Sequence, residues 1–400
     1  MQKLKIAYSG SPLFSAILLE RIINDKNLPV EIKLVITQPD MPVGRKQILT
    51  PTPVKLVAEK YRLPIIYSTE FKEFRISNNQ LSMINNQSIK NKLKTNDHLK
   101  IDNSLASLEL RRSGSKIEQL NIDHLDLCIV YAYGQILPKE ILDLPKYGFW
   151  NIHPSLLPRY RGASPIAYPL ILGDKKTGVS LMLMDEKMDH GPIIAQEELK
   201  IKPDDMRPNL EKKLTDLAFF MFRKLIMGQI KAQTSVSNDL GGVQSRRLVG
   251  TSTPTRVRNT VSSFIKATPQ NNYQATYTKI LKKSDGFIPL LILKKCLNNK
   301  PIEFTDLPKF LQDYINKYYY PPNSYLLTPN YLIFNLFRGL YPWPGLWTTV
   351  DLRGRQLRQL RLKILGMELH DNQLTLTKIQ LENKNPVDMA TFNRAYPGIF

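Results

Sequence analysis

The sequence predicts an α/β protein in which a doubly wound, mostly parallel sheet is followed by a small β-barrel domain. Near the N-terminus, an apolar strand, a helix and a second strand follow one another with the spacing of a β-α-β unit. Near the C-terminus, short segments such as residues 359–364 and 373–380 alternate polar and apolar residues, as in small barrels of the OB type. A chain of 400 residues is long enough to form two such cores.

The N-terminal unit consists of a strand at residues 4–9, a helix at 13–23 and a second strand at 32–36. Ser11 is a suitable N-cap, and Pro12 suits the first helical position because its φ angle is already helical. The glycine fingerprint G-x-G-x-x-G is absent after the first strand. The unit therefore predicts a Rossmann-like sheet without indicating a bound dinucleotide.

Residues 37–55 contain four prolines and one glycine, which predicts a long irregular loop after the second strand. Arg45 and Lys46 place positive charge at its tip. Loops of this length in compact domains are usually functional, although a plain surface connection would have the same composition.

Two polar clusters follow apolar runs in the middle of the chain. Asn151 and His153 come after the run at residues 126–131, and Asp189 comes after the run at 179–184. If both runs are parallel strands, their carboxyl ends lie at one edge of the sheet, where ligands of open α/β sheets bind. The sequence then predicts that the amide, the imidazole and the carboxylate converge on one crevice.

These three groups suit chemistry at a carbonyl carbon. The amide can donate to a developing oxyanion, the imidazole can donate or shuttle a proton, and the carboxylate can stabilise the protonated imidazole or relay protons. Each residue also has a structural explanation. An asparagine after a strand is often a turn residue, a single histidine is usually a satisfied structural group, and an aspartate before a glycine can form an Asx turn.

The formal net charge of +21 is concentrated in the second half of the chain. Residues 201–400 carry 29 Lys and Arg against 14 Asp and Glu, whereas residues 1–200 carry 27 against 21. This asymmetry favours a polyanionic partner such as nucleic acid, with a generally basic surface as the alternative. No membrane partner is expected, because there is no run of 18 apolar residues. The absence of a leader and the two distant cysteines favour the cytoplasm.

Three motifs resemble those of the folate-dependent formyltransferases: N-I-H-P-S-L-L-P at residues 151–158, R-G at 161–162 and M-D-H-G at 188–191. The resemblance implies that 10-formyltetrahydrofolate is the formyl donor, that no metal is needed, and that Asn151, His153 and Asp189 are catalytic. It also implies a set of folate-binding residues by motif or by position. These are Ser155, Leu156, Leu157, Pro158, Tyr133, Gln135, Leu137 and Asp185.

Further stretches narrow the resemblance to the branch of the family whose acceptor is initiator methionyl-tRNA. These stretches are the loop at 40–46, Q-A-T-Y at 274–277 and F-R-G-L-Y-P-W-P-G at 337–345. In this branch the predicted tRNA contacts are Arg45, Lys46, Arg161, Arg353 and Arg355, and the protein is expected to be a monomer. Met41 stands where the family usually has a basic residue. Pro154 is instead the usual residue in the glycinamide ribonucleotide formyltransferases.

The resemblance implies a formyltransferase domain at residues 1–230, a linker at 231–270 and an OB-like tRNA-binding domain at 271–400. Three insertions are expected, at about 70–120, 235–262 and 291–330. Two alternative functions remain at this point. One is formyl transfer to a small amine, either glycinamide ribonucleotide or an amino sugar. The other is RNA binding without catalysis on the same fold.

Overall fold

The computed structural model describes residues 3–44, 46–69, 124–239, 265–319, 328–351 and 359–400. The predicted insertion at 70–120 and residues 240–264 of the predicted linker lie outside these ranges. None of the helices in the described ranges is both long and apolar enough to cross a membrane. The strands and helices follow along the chain as β1 (Leu4–Gly10), α1 (Leu13–Asn24), β2 (Val30–Thr37), β3 (Met41–Val43), β4 (Ile48–Thr50), α2 (Pro53–Lys60), β5 (Ile65–Tyr67), β6 (Leu127–Tyr131), α3 (Lys139–Leu142), β7 (Phe149–His153), β8 (Arg161–Gly162), α4 (Ala167–Ile171), β9 (Lys176–Leu183), β10 (Ile193–Lys200), α5 (Arg207–Asp239), β11 (Tyr277–Thr278), α6 (Leu290–Leu297), α7 (Lys309–Tyr318), α8 (Pro329–Leu340), β12 (Leu346–Asp351), β13 (Gln359–His370), β14 (Gln373–Leu381), β15 (Val387–Asp388) and α9 (Met389–Ala395).

A seven-stranded sheet has the strand order β10-β9-β7-β6-β1-β2-β5. The pairs β1–β2, β1–β6, β2–β5 and β6–β7 are all parallel. Every residue of β6 is buried, as is the carboxyl half of β1, which is typical of strands covered on both faces. The predicted doubly wound, mostly parallel sheet is therefore confirmed.

The expectation that the second apolar run is parallel to the sheet is wrong. Strand β9 pairs antiparallel with β7, with Trp150 opposite Leu183 and His153 opposite Ser180. The carboxyl end of β9 thus lies beside the start of β7, not beside its end. An apolar run predicts that a strand is buried, but it does not predict direction, because a central strand is buried in either orientation.

Residues 37–55 are more ordered than predicted. Strands β3 and β4 form a hairpin in which Met41 pairs with Thr50 and Val43 pairs with Ile48. Thr52 caps helix α2 by accepting a hydrogen bond of 3.1 Å from the Lys55 backbone N–H. The Nζ of Lys55 donates to both carboxylate oxygens of Asp40 at 2.8 Å, which ties the base of the hairpin to α2.

The C-terminal part of the chain contains an antiparallel sheet in the order β12-β13-β14-β15. Along β14 the buried residues Leu374, Leu376, Ile379 and Leu381 are separated by exposed or half-buried ones. A break in the β13–β14 register around Gly366 shifts this alternation by one residue. The predicted small antiparallel β domain is confirmed.

Residues in contact form two compact units, and both are discontinuous in sequence. The first comprises residues 1–153, 180–195 and 215–270, and the second comprises 154–179, 196–214 and 271–400. These units interleave along the chain, whereas the predicted domains follow one another. The predicted boundaries at 230 and 270 therefore stay a prediction.

The predicted insertion at 291–330 contributes to the core of the second unit. Phe310, Leu311, Tyr314 and Ile315 of α7 are buried in one cluster with Tyr168 of α4 and with residues of α8 and the antiparallel sheet. The ring of Tyr314 lies 4.8 Å from that of Tyr168. The inserted helix is therefore a structural part of the unit.

We expect Leu311→Ala to lower the free energy of unfolding by about 2–5 kcal/mol, because the fully buried side chain would leave a cavity. Urea unfolding followed by circular dichroism would measure the change. Lys309→Ala on the same helix is the matched control, since the Lys309–Asp313 ion pair is exposed and should contribute less than about 1 kcal/mol. Equal stabilities of the two variants would show that α7 is peripheral.

Candidate active site

Asn151 and His153 lie on the same face of β7, because side chains two residues apart on a strand point the same way. Both flanking residues, Trp150 and Ile152, are buried on the other face. His153 is itself buried, whereas Asn151 is half-buried. A buried strand therefore orients one amide and one imidazole toward the same side of the sheet.

Asp189 reaches these two side chains from the loop between β9 and β10. The Asn151 Nδ2 donates a hydrogen bond of 3.0 Å to Asp189 Oδ1. The His153 Nδ1 lies 3.6 Å from the same oxygen, which is an electrostatic contact longer than a hydrogen bond. The structure thus brings the three predicted residues together, although the loop achieves this by folding back and not by continuing a parallel strand.

The shared carboxylate orients both partners. A carboxylate can only accept hydrogen bonds, so the nitrogen of the Asn151 amide faces Asp189. An amide nitrogen carries two N–H groups, and the bond to Asp189 uses one of them. The same carboxylate lies beside His153 Nδ1. The arrangement can therefore support negative charge on a carbonyl oxygen and proton transfer at the imidazole.

The backbone of the Asp189 loop has an unusual conformation. The φ angle of Asp189 is +49°, in the left-handed region that aspartate tolerates better than most residues. Gly191 approaches β9 so closely that a Cβ atom there would lie 1.8 Å from the carbonyl oxygen of Leu183. The loop can close on the strand only because residue 191 has no side chain.

We expect Gly191→Ala to lower turnover by at least about tenfold, because the loop must shift and displace the Asp189 carboxylate. Steady-state kinetics of formyl transfer would measure this. Lys187→Ala, in the same loop with an exposed side chain, should have nearly normal turnover. Normal turnover in both variants would show that the loop tolerates the displacement.

Asp185 and His190 form a second pair in this loop, which the sequence did not predict. Asp185 Oδ2 lies 2.7 Å from His190 Nδ1, and Asp185 Oδ1 accepts a hydrogen bond of 3.0 Å from the Lys187 backbone N–H. Asp185 was expected to bind folate. In the structure its carboxylate closes the turn that carries Asp189, and the pattern D-x-x-x-x-H could have suggested this pair.

The predicted folate segment at 155–158 lies in the second unit. Ser155 is buried, and its hydroxyl donates to the Arg159 carbonyl at 2.7 Å. The Leu157 side chain is buried as well, and its carbonyl accepts a hydrogen bond of 3.0 Å from Gln196 Nε2. Leu156 and Pro158 are half-buried. The segment is thus held by hydrogen bonds to Arg159 and Gln196, and the side chains of Leu156 and Pro158 stay partly accessible.

The other predicted folate residues follow β6 in the first unit. Tyr133 and Leu137 are buried, whereas Gln135 is half-buried. Gln38 connects this segment to the end of β2, since its Nε2 donates 3.1 Å to the Tyr133 carbonyl. Burial raises the pKa of Tyr133, so its phenol stays protonated at neutral pH and is unsuited to act as a base. Ile136, which follows Gln135, presents an exposed apolar side chain.

The five predicted tRNA contacts differ in their positions. Lys46 is exposed near the tip of the β3–β4 hairpin. Arg45, Arg353 and Arg355 lie outside the described residues. Arg161 is only 1% exposed, and its guanidinium donates to Tyr277 Oη at 2.9 Å and to Asn272 Oδ1 at 2.8 Å. The Arg161 guanidinium thus fastens residues 272–277. Its predicted contact with tRNA stays a prediction.

A basic face lies on the solvent side of the antiparallel sheet. Trp347 of β12 is paired with Lys363 of β13, and Arg361 lies over the Trp347 ring with its guanidinium carbon 4.6 Å from the ring centre. Lys363 and Lys378 are exposed. We call these four residues the basic sheet face. It contains an aromatic ring and three cations.

The residues that the structure describes were searched for side chains that could bind a metal ion. Among them, no group of three or more His, Cys, Asp or Glu side chains could hold a metal ion. Cys128 is fully buried in β6, and burial raises the pKa of its thiol well above the usual value.

The amide and imidazole of β7 and the carboxylate of the loop between β9 and β10 are groups suited to the transfer of a group at a carbonyl carbon. Residues 2–224 match the sequence model of the Formyl transferase family, which is more than half of the chain. The chain belongs to the formyl transferase family.

Relatives of known name support this membership. The methionyl-tRNA formyltransferase of Halalkalibacterium halodurans is 35% identical over 230 residues, which cover 58% of this chain and 59% of that protein. The methionyl-tRNA formyltransferase of Staphylococcus aureus strain JH1 is 30% identical over 366 residues, covering 91% of this chain and 79% of that protein. The matched part of the chain thus spans less than two thirds of the first relative's length and more than two thirds of the second's.

Among solved structures, the chain is similar to an N-formyltransferase from Helicobacter canadensis bound to folinic acid and dTDP-3-aminofucose. The identity is 16%, the TM-score is 0.43, and 95% of each chain is covered. The assignment of the fold rests on the strand order and on the family match.

Proposed function

We propose that this protein transfers the formyl group of 10-formyltetrahydrofolate to the α-amino group of methionine on initiator methionyl-tRNA. One observation carries the proposal. The similarity to the methionyl-tRNA formyltransferase of Staphylococcus aureus covers 91% of the chain, so it extends beyond the family match at residues 2–224 into the basic C-terminal part. A relative that shared only the formyl-transfer chemistry would not need to match there.

In the proposed reaction, the neutral α-amine forms a C–N bond to the formyl carbon, and the bond from that carbon to N10 of the folate breaks. The amine loses one proton and N10 gains one, so no proton is consumed overall. Asn151 donates an N–H to the formyl oxygen as negative charge develops on it, and His153 donates alongside. Asp189 holds both donors in place and helps to carry the proton toward N10.

The formyl donor supplies an already activated formyl carbon, which needs no metal ion. Gln135 and Ile136 offer it one polar and one apolar contact beside β6, while the buried Tyr133 and Leu137 can contribute only backbone groups. Leu156 and Pro158 offer partly accessible apolar surface in the second unit. The predicted folate residues of each unit are retained in the proposal because the family resemblance implies them.

The acceptor is a polyanion, and the excess of positive charge in residues 201–400 suits it. We propose that the basic sheet face and the hairpin residue Lys46 contact phosphates of the tRNA. Arg45 is proposed to do the same because it matches the loop arginine of the family. Arg353 and Arg355 are proposed to do the same because of their positive charge in the basic C-terminal part. We further propose that the enzyme acts as a monomer in the cytoplasm, where initiation of translation uses the product.

Formyl transfer to a small amine is the second candidate function. It accounts equally well for Asn151, His153 and Asp189, and Pro154 is usual in the glycinamide ribonucleotide enzymes. It leaves the basic second half of the chain without a role. RNA binding without catalysis fits that half, but it leaves the orientation of the three reactive groups unexplained.

The decisive experiment supplies 10-formyltetrahydrofolate together with each candidate acceptor in turn: charged initiator tRNA, glycinamide ribonucleotide and a nucleotide-linked amino sugar. We expect formylmethionyl-tRNA to form with a far higher kcat/KM than either small product. Preferred formylation of a small amine would replace the proposal with the second function. Tight RNA binding without any transfer would show a non-catalytic protein.

A further inference from the structure

Gln270 is the last residue of the first unit and contacts the loop that carries Asp189. Its side-chain Nε2 donates to the Asp189 carbonyl at 2.9 Å and to the Gly191 carbonyl at 2.7 Å. The two acceptors flank His190 on either side. The Gln270 amide thus holds the backbone on both sides of His190. We call this contact the Gln270 bridge.

The segment before Gln270 is itself fixed to the same part of the first unit. The N–H and carbonyl of Thr268 exchange two hydrogen bonds of 2.8 Å with Ile193, the first residue of β10. Residues 268–270 therefore run beside the loop as a short strand-like contact. This contact already fixes the backbone of Gln270. Little further conformational entropy is therefore lost when its side-chain amide donates to the two carbonyls.

The Asp189 loop needs external support. A left-handed φ angle at a non-glycine residue costs free energy, and it persists only where the surroundings hold it. The Asp189 carboxylate must also meet Asn151 and His153 at the same time, within 3.0 and 3.6 Å. A displacement of the backbone by a fraction of an ångström would break this geometry, since side-chain contacts of this kind tolerate little movement.

We infer that Gln270 is a positioning residue for formyl transfer, acting through the backbone of Asp189 to hold its carboxylate between Asn151 and His153. This inference rests on the proposed role of Asp189 in catalysis. Gln270 itself touches neither the formyl group nor the amine in this account. Its contribution is therefore to turnover and not to the binding of folate or tRNA.

Gln270→Glu is the sharpest variant, because it preserves the shape of the side chain while replacing two N–H donors with a carboxylate that cannot donate at neutral pH. We expect kcat to fall by about tenfold or more, with KM for both substrates changed by less than about threefold. Thr268→Ala is the matched control, since the exposed Thr268 side chain takes no part in its backbone pairing with Ile193. A loss confined to KM, or unchanged kcat, would overturn the inference.

A double variant separates positioning from general support of the fold. If Gln270 acts through Asp189, Gln270→Ala should lower turnover by less than about twofold in an Asp189→Ala background. If the loss of turnover in the double variant equals the product of the two single losses, Gln270 has a structural role only. The same conclusion follows if a lower thermal midpoint of Gln270→Ala accounts for its loss of turnover.

A measurement without substrates tests the role of Gln270 independently of the identity of the acceptor. In the ligand-free protein, the ring nitrogen NMR signals of His153 report on the nearby Asp189 carboxylate, and His153→Gln identifies them among the five histidines. We expect Gln270→Glu to shift these signals and Thr268→Ala to leave them in place. Unshifted signals in Gln270→Glu would overturn the inference, even if the acceptor proved not to be tRNA. If the His153 signals shift in Gln270→Glu but the protein formylates a different amine, only the proposed acceptor is disproved.

Discussion

His153→Ala, Asn151→Ala and Asp189→Ala are each expected to lower the turnover of formyl transfer by about a hundredfold or more. Asn151 and His153 provide the donors that stabilise charge on the formyl oxygen, and Asp189 orients both through one carboxylate oxygen. Loss of one such donor or acid-base group typically has an effect of this size. Single-turnover kinetics with saturating substrates would isolate the chemical step.

A conservative variant of Asp189 tests the role of its negative charge. Asp189→Asn keeps a residue type that tolerates the left-handed conformation but removes the negative charge beside His153. We expect it to be nearly as inactive as Asp189→Ala, with unchanged folate binding. Because the three residues act as a unit, any double variant should be less impaired than the product of two single losses. Near-normal turnover of Asp189→Asn would exclude the charge from the mechanism.

Reversing the charges of Lys363 and Lys378 together is expected to weaken the binding of charged initiator tRNA by about a hundredfold at moderate salt. Both lysines are exposed on the basic sheet face. If each contacts one phosphate, the slope of log Kd against log salt should fall by about two, since each neutralised phosphate contributes about 0.9. Filter binding over a series of salt concentrations would measure both quantities.

A matched charge reversal tests whether position matters. Lys176 and Lys309 have exposed side chains elsewhere in the second unit, and each makes only a surface ion pair. Their double reversal changes the net charge by the same amount, but it should weaken binding far less. If both double variants weaken binding equally, the tRNA responds to the overall field of the protein and not to the basic sheet face.

The shared core of the second unit explains why point variants are preferable to truncation here. Tyr168 of α4 is buried in one cluster with Phe310 and Leu336 of the C-terminal part. A chain that ended before residue 271 would expose this apolar surface to water, so a loss of tRNA binding would be confounded with a loss of stability. Surface lysines can be reversed without opening the core.

The sequence by itself determined those features that depend on residues close together in the chain. The β-α-β start follows from local apolar patterns, and the common orientation of Asn151 and His153 follows from their spacing of two residues on a strand. Asp189 was associated with them by its position after an apolar run and by the family motif, and the structure brings it to 3.0 Å from Asn151. The basic character of the second half could be counted directly.

The tertiary structure alone decided the features that depend on distant residues. The antiparallel direction of β9 and the hairpin at residues 41–50 required strand pairing, which apolar patterns do not specify. Arg161 was expected to contact tRNA, and its side chain is buried against Tyr277 and Asn272, more than a hundred residues away in the chain. Gln270 meets Asp189 across 81 positions, and nothing in the residues around it indicates that contact. Local sequence restricts backbone conformation and burial, whereas the choice among distant partners is made only when the whole chain packs.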